Sequence, residues 1–174
     1  MDASPPAAQP SDDFLGAIGR LTISWAEIEF GIDLILFVAY HELGGDKFEA
    51  QKPWALERKI KLLRKCFGNL EGLASCRDIG LAILNEVKTS SEIRHDIIHG
   101  IVVEKFDTAD KTTMIRLLRG NEPNAHKRFS VDTNYILRAA VAASKLAGRA
   151  MTLGTVLLDA RHELIDQARS KLPG

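Results

Sequence analysis

One apolar seam constrains this chain more than any other feature. Phe14, Ile18, Leu21, Trp25, Ile28, Ile32, Ile35 and Ala39 recur at alternating steps of four and three residues. That rhythm places them along one face of a long helix, of the kind that packs against other helices. Ser11 or Asp12 stands where a side-chain oxygen can cap the free amides of its first turn, and Gly44-Gly45 ends it. The seam is too extensive for an isolated helix, so the rest of the chain has to supply partners for it.

It does so in the same idiom. A second helix is expected to start near Trp54, after Pro53, with Leu56, Ile60, Leu63 and Phe67 inward and Arg58, Lys59, Lys61, Arg64 and Lys65 pointing elsewhere. A third runs from about Cys76 to His99 on Ile79, Ile83, Val87 and Ile93, and Gly100 stops it through glycine's tolerance of the left-handed conformation. The pattern then turns β-prone. Residues 101–106 and 112–118 read as a hairpin across an Asp107-to-Lys111 turn, and Arg128-Phe129-Ser130 is a candidate third strand. Asp132 is positioned to cap a last helix running to about Ser170, with Tyr135, Ala139, Ala142, Leu146, Leu153 and Val156 as its stripe. Gly148 and Gly154 mark close helix approach or a mild kink. The expected fold is all-α: an up-and-down bundle of four main helices with a small β-hairpin inserted before the long C-terminal helix. Residues 1–11 read as a disordered leader and 12–174 as one domain.

Composition narrows the function. With 23 basic and 23 acidic residues among 174, the chain carries no net charge, whereas a protein that coats nucleic acid is clearly basic. Any RNA contact must come from a local patch, such as Arg58 to Lys65 or Arg116, Arg119, Lys127 and Arg128, for which solvated faces are the competing reading. Cys66 and Cys76 form no disulfide framework and lack zinc-ligand spacing, so they read as reduced thiols. The first ten residues have neither the basic start nor the apolar run of a signal peptide, and no apolar stretch reaches membrane-spanning length. The expected location is cytoplasmic. Trp25 and Trp54 sit on apolar stripes and are expected in the core; Glu29, one turn beyond Trp25, reads as a solvated or ion-paired face residue.

Chemistry concentrates at the end of the third helix, Arg94-His95-Asp96-Ile97-Ile98-His99. Arg94 can offer a permanently charged planar fork to phosphate oxygens, and an imidazole such as His99 can take or give a proton near neutral pH. Those are the parts that attack of a ribose 2′-hydroxyl on its own phosphate requires. The structural alternatives are an ion pair of Arg94 with Glu92 or Asp96, and a histidine that merely satisfies a helix C-terminus. Asp96 could orient an imidazole or interact with Arg94. His95 and His99 also make a His-x-x-x-His pair, but no glutamate follows the first histidine and no third ligand is evident, so no metal and no other cofactor is expected. At about 100° per residue, Arg94 and His99 are about 140° apart around the helix, whereas His95 and His99 differ by about 40°. Two helix ends meeting on a two-fold axis would supply two arginines and two His99 imidazoles, which makes a homodimer the expected assembly.

Arg-x-x-x-x-His at the end of a bundle helix resembles the signature of the HEPN superfamily (higher eukaryotes and prokaryotes nucleotide-binding domains). Trp25-Ala26-Glu27-Ile28-Glu29, Leu56-Glu57-Arg58-Lys59-Ile60 and the His-Gly-Ile-Val run at 99–102 are similar to bacterial members. His95 departs from the asparagine that most often follows the arginine there. The resemblance implies a dimeric helical domain that cleaves RNA without metal to leave a 2′,3′-cyclic phosphate, with Arg94 and His99 catalytic and His95 and Asp96 supporting. It implies a toxin or phage-defence role, with an antitoxin or nucleotidyltransferase as partner. The alternative it leaves open is a non-catalytic module that binds a nucleotide or a protein.

Overall fold

A computed structural model describes residues 10–106, 111–117 and 126–170. The expected leader falls almost entirely outside these, as do most of the Asp107-to-Lys111 turn, Leu118 at the end of the expected second strand, and Arg119. The chain is mostly helical: α1 (Asp12–Phe37), α2 (Leu56–Asn69), α3 (Arg77–Ile98), then strands β1 (Ile101–Phe106), β2 (Lys111–Leu117) and β3 (His126–Asp132), then α4 (Thr133–Ser170). None of the described helices is long and apolar enough to cross a membrane. The chain forms two compact units, Met1–Ser24 with Ser90–Ala143 and Trp25–Thr89 with Ser144–Gly174, so the boundaries fall within α1, α3 and α4.

In the second unit the helix segments form a bundle. Trp25, Ile28, Ile32, Ile35 and Leu36 of α1 are buried with Ile60, Leu62, Leu63 and Phe67 of α2, Ile83, Leu84 and Val87 of α3, and Leu146, Ala150 and Leu153 of α4. Two pairs of helices approach so closely that only glycine fits. A Cβ on Gly31 would lie 2.9 Å from the Ala150 backbone, and one on Gly154 would lie 2.7 Å from Leu34 Cβ. A Cβ on Gly80 would lie 2.2 Å from the Phe67 ring, which therefore rests directly on the α3 backbone. Gly148 has nothing within 4 Å and marks no such approach. Around the rim, Lys59 reaches Asp33 at 2.6 Å and Arg149 reaches Glu86 at 2.7 Å.

These contacts correct the expected up-and-down order, which would make α1 and α4 antiparallel. Gly31 meets Ala150, Leu34 meets Gly154 and Phe37 lies under Arg161, so along this seam α1 and α4 run in the same direction. Phe67 against Gly80 and Arg64 against Asn85 make α2 and α3 antiparallel. The 38–55 and 99–132 connections are both long enough for the crossover that breaks strict alternation. The 38–55 connection leaves α1 through a π-helical turn at Val38–Glu42 and turns at Gly44, whose φ of 79° only glycine adopts without strain.

Other expectations shift for local reasons. Trp54 is 87% exposed, because α2 starts two residues later and the tryptophan is not on its stripe. Lys59 is buried in its ion pair with Asp33 rather than solvated. Ile79 is exposed at the start of α3. On α4 the buried stripe is Ile136, Ala140, Ala143, Leu146, Ala147, Ala150, Leu153 and Leu157, with Tyr135 and Val156 outside. Trp25 is buried as expected, and its indole N–H donates to Glu29 at 2.9 Å.

In the first unit the expected hairpin is present as β1 and β2, and β3 joins it to make a three-stranded antiparallel sheet ordered β1-β2-β3. The candidate third strand is real and extends from His126, pairing Met114 with Phe129 and Lys111 with Asp132. A third strand satisfies the edge that a lone hairpin would leave open and adds to a sheet too small to stand as two strands. Caps fall where the sequence puts them. Ser11 Oγ accepts from the Phe14 amide at 3.3 Å, and Asp132 Oδ1 accepts from the Tyr135 amide at 2.5 Å.

Candidate active site

All four residues singled out at the end of α3 lie in the first unit, and the fold arranges them around one buried anchor. Ile97 is buried, while Ile93 and Ile98 are half-buried, so the last turn of α3 is fixed on one side and open on the other. His95 and His99 are exposed; Arg94 and Asp96 are half-buried. The His99 amide donates to the His95 carbonyl at 3.1 Å, closing the last turn.

Gly100 stops the helix for a reason other than the one its sequence position implies. Among described glycines only Gly44 has a positive φ, so no left-handed turn forms at Gly100. Space is the constraint there. A Cβ on Gly100 would lie 2.5 Å from the Asp96 carbonyl oxygen, 2.8 Å from Met114 Cε and 3.3 Å from Phe129 Cζ. The chain thus leaves α3 pressed against the β2–β3 face, which seats the helix end on the sheet.

Arg94 and His99 come together within one chain. Arg94 Nη1 lies 3.4 Å from His99 Nε2, although their angular separation around the helix predicted that one helix end would hold them apart. Regular helix ends at Ile98, and the arginine side chain is long enough to cover the difference. A guanidinium only donates, so a hydrogen bond here makes Nε2 the acceptor and leaves the ring proton on Nδ1. Once the guanidinium turns from Nε2 to an arriving anion, the freed lone pair of the neutral imidazole can draw a proton from a hydroxyl beside that anion. His95 stacks on His99, with ring centroids 5.4 Å apart and planes at 26°, as their near-common helical face requires.

Asp96 accepts from Lys127 of β3, Nζ to Oδ2 at 2.5 Å. The sequence flagged Lys127 only as one of several basic residues; the sheet register is what delivers it to α3. Lys127, Phe129 and Val131 alternate onto one face of β3, with the Lys127 ammonium 5.7 Å from the Phe129 ring centroid. His126 and Arg128 occupy the alternate positions and are exposed. Among the described residues no three His, Cys, Asp or Glu side chains cluster to hold a metal ion. Cys66 and Cys76 are both free, and burial pushes each thiol up; for Cys66 the nearby Lys47 and Lys65 act in the opposite direction. Raised thiols stay protonated and weakly nucleophilic at neutral pH.

Comparisons of the chain with protein-family models, curated proteins and solved structures give no match.

Proposed function

We propose that this chain is a metal-independent endoribonuclease of the HEPN type, acting in the cytoplasm as a toxin or phage-defence effector with an antitoxin or nucleotidyltransferase as partner. The observation that carries the reading is the approach of the Arg94 guanidinium to His99 Nε2 at 3.4 Å on an open helix end. In this mechanism His99 Nε2 takes the proton of a ribose 2′-hydroxyl, and the 2′-oxygen forms a bond to the adjacent phosphorus. Arg94 holds the negative charge that builds on the phosphoryl oxygens. The bond to the 5′-oxygen breaks, and that oxygen takes a proton from a second imidazole, which a homodimer supplies. The products are a 2′,3′-cyclic phosphate and a 5′-hydroxyl. His95, stacked on His99, and Asp96 support the pair.

Mixed-sequence RNA incubated with the protein in EDTA tests this directly. Fragments ending in 2′,3′-cyclic phosphate are the expected product. Cleavage that appears only on adding Mg²⁺ would overturn the mechanism. RNA that is bound in EDTA but left uncut would assign the chain to the non-catalytic alternative.

The dimer has its own support in the first unit. Leu15 is 51% and Ile23 63% exposed on α1, two turns apart, with the open Gly19 between them. An apolar stripe left to solvent is the kind of surface that marks a protein interface. Light scattering should give twice the 19.2 kDa chain mass. Ile23→Arg, at this exposed position, should give the monomer mass and lose most cleavage. An active monomer would remove the dimer from the mechanism.

A further inference from the structure

Asp96 is a negative charge inside a site that must accept a polyanion. It lies two residues after Arg94 and three before His99, and its side chain is only 13% exposed, so water screens it poorly. With the imidazoles neutral, Arg94 (+1) and Asp96 (−1) sum to zero. Lys127 brings the total to +1. Its side chain is 44% exposed, so the ammonium that meets Asp96 also faces solvent, where a phosphate arrives. Its place is built in: Phe129 and Met114 press on Gly100, and Lys127 stands two residues before Phe129 on the same face of β3. Glu92, one turn before Asp96, is exposed and better screened, and Arg128 leaves β3 at an alternate position.

We infer that Lys127 is a positioning residue for RNA binding: reaching across from β3, it cancels the Asp96 charge and leaves the Arg94–His99 pair with the net positive charge a phosphate requires. The inference rests on the RNA reading of the site. It differs from a purely structural ion pair in the sign of one effect. If the pair is a clamp between sheet and helix, removing either partner weakens the site. If the pair is a charge balance, removing Asp96 strengthens binding.

The experiment measures binding of fluorescent single-stranded RNA in EDTA to the cleavage-impaired His99→Ala chain and to versions also carrying Lys127→Ala, Asp96→Asn, both, or Lys127→Arg. A unit charge acting on a phosphate about 8 Å away through partly screened surroundings changes affinity about fivefold. Lys127→Ala should weaken binding by about that factor, and Asp96→Asn should strengthen it comparably. The double variant should return to the parent value, and Lys127→Arg should bind like the parent. Weakening by Asp96→Asn, or no rescue in the double variant, overturns the inference, as does an unchanged affinity on Lys127→Ala. Should Lys127→Ala fail to fold, Asp96→Asn alone still decides by its sign. Cleavage by the unsubstituted chain is scored separately. The binding pattern without cleavage removes the nuclease reading alone, and cleavage without the pattern removes this inference alone. Absence of RNA binding by every version overturns both.

Discussion

His99→Ala is expected to lower RNA cleavage by about 10²–10⁴-fold, the usual contribution of a positioned proton-transfer group. The side chain is exposed and packs no core, so the substitution leaves helical content and thermal stability close to those of the parent. The loss should appear in the rate of the chemical step. Arg94→Ala should cost comparably, because without the guanidinium the charge building on the phosphoryl oxygens has no fixed partner. Arg94→Lys should recover only part, since an ammonium keeps the charge but loses the planar fork. A His99→Ala chain that cuts RNA at the parental rate would end the catalytic assignment of this helix end.

Phe67→Ala is expected to cost about 3–5 kcal/mol of folding stability, the range for removing a fully buried aromatic ring. Phe67 is fully buried, the tip of its ring reaches the backbone at Gly80, and its carbonyl accepts from Arg77 Nε at 2.7 Å. Neither the close helix contact nor the side chains around it can collapse into the space without moving α2 relative to α3. For a chain of this size each kcal/mol is worth about 2–4 °C, so the melting midpoint should fall by about 6–20 °C. Calorimetry or thermal circular dichroism reads it. A fall of only a degree or two would mean that the α2–α3 contact is far looser than the Gly80 approach implies.

The elements differ in how much of themselves the sequence displays. The α1 seam is legible almost residue by residue, because its inward positions are large aliphatic or aromatic groups. Phe14, Leu21, Trp25, Ile28, Ile32, Ile35 and Ala39 are all buried. On α4 the same reasoning finds Leu146 and Leu153, which are buried, and misses at Tyr135, Ala142 and Val156, which are exposed. The helix is rich in alanine, which is as compatible with a buried face as with an open one, and an error of one position rotates the stripe by about 100°. Trp54 misleads for another reason: an apolar residue just before a helix follows the path of the loop, not the helical period. For the site, the residue types and their helix were legible. Their mutual geometry was not, because angular separation on an ideal helix ignores side-chain reach at the helix end.

By itself the sequence determined what depends on neighbours along the chain: the helical classes of α1 to α4, the cap at Asp132 and the choice of Ser11 or Asp12 for the first, the strands within residues 101–106 and 112–117, and the concentration of Arg94, His95, Asp96 and His99 at one helix terminus. Only the tertiary structure decided what depends on residues far apart in the chain. Lys127 meets Asp96 across 31 positions because β2 and β3 pair in one register, and a slip of a single residue would turn it to the other face. Met114 and Phe129 approach Gly100 from the sheet and add to the constraint set by the Asp96 carbonyl oxygen, the nearest atom a Cβ there would meet. Gly31 and Gly154 are required by a seam whose contacting residues, Gly31 with Ala150 and Leu34 with Gly154, lie more than a hundred positions apart in sequence. Periodicity fixes which side of an element is apolar; which partner meets that side is set by packing, where close approach and charge pairing are satisfied together or not at all.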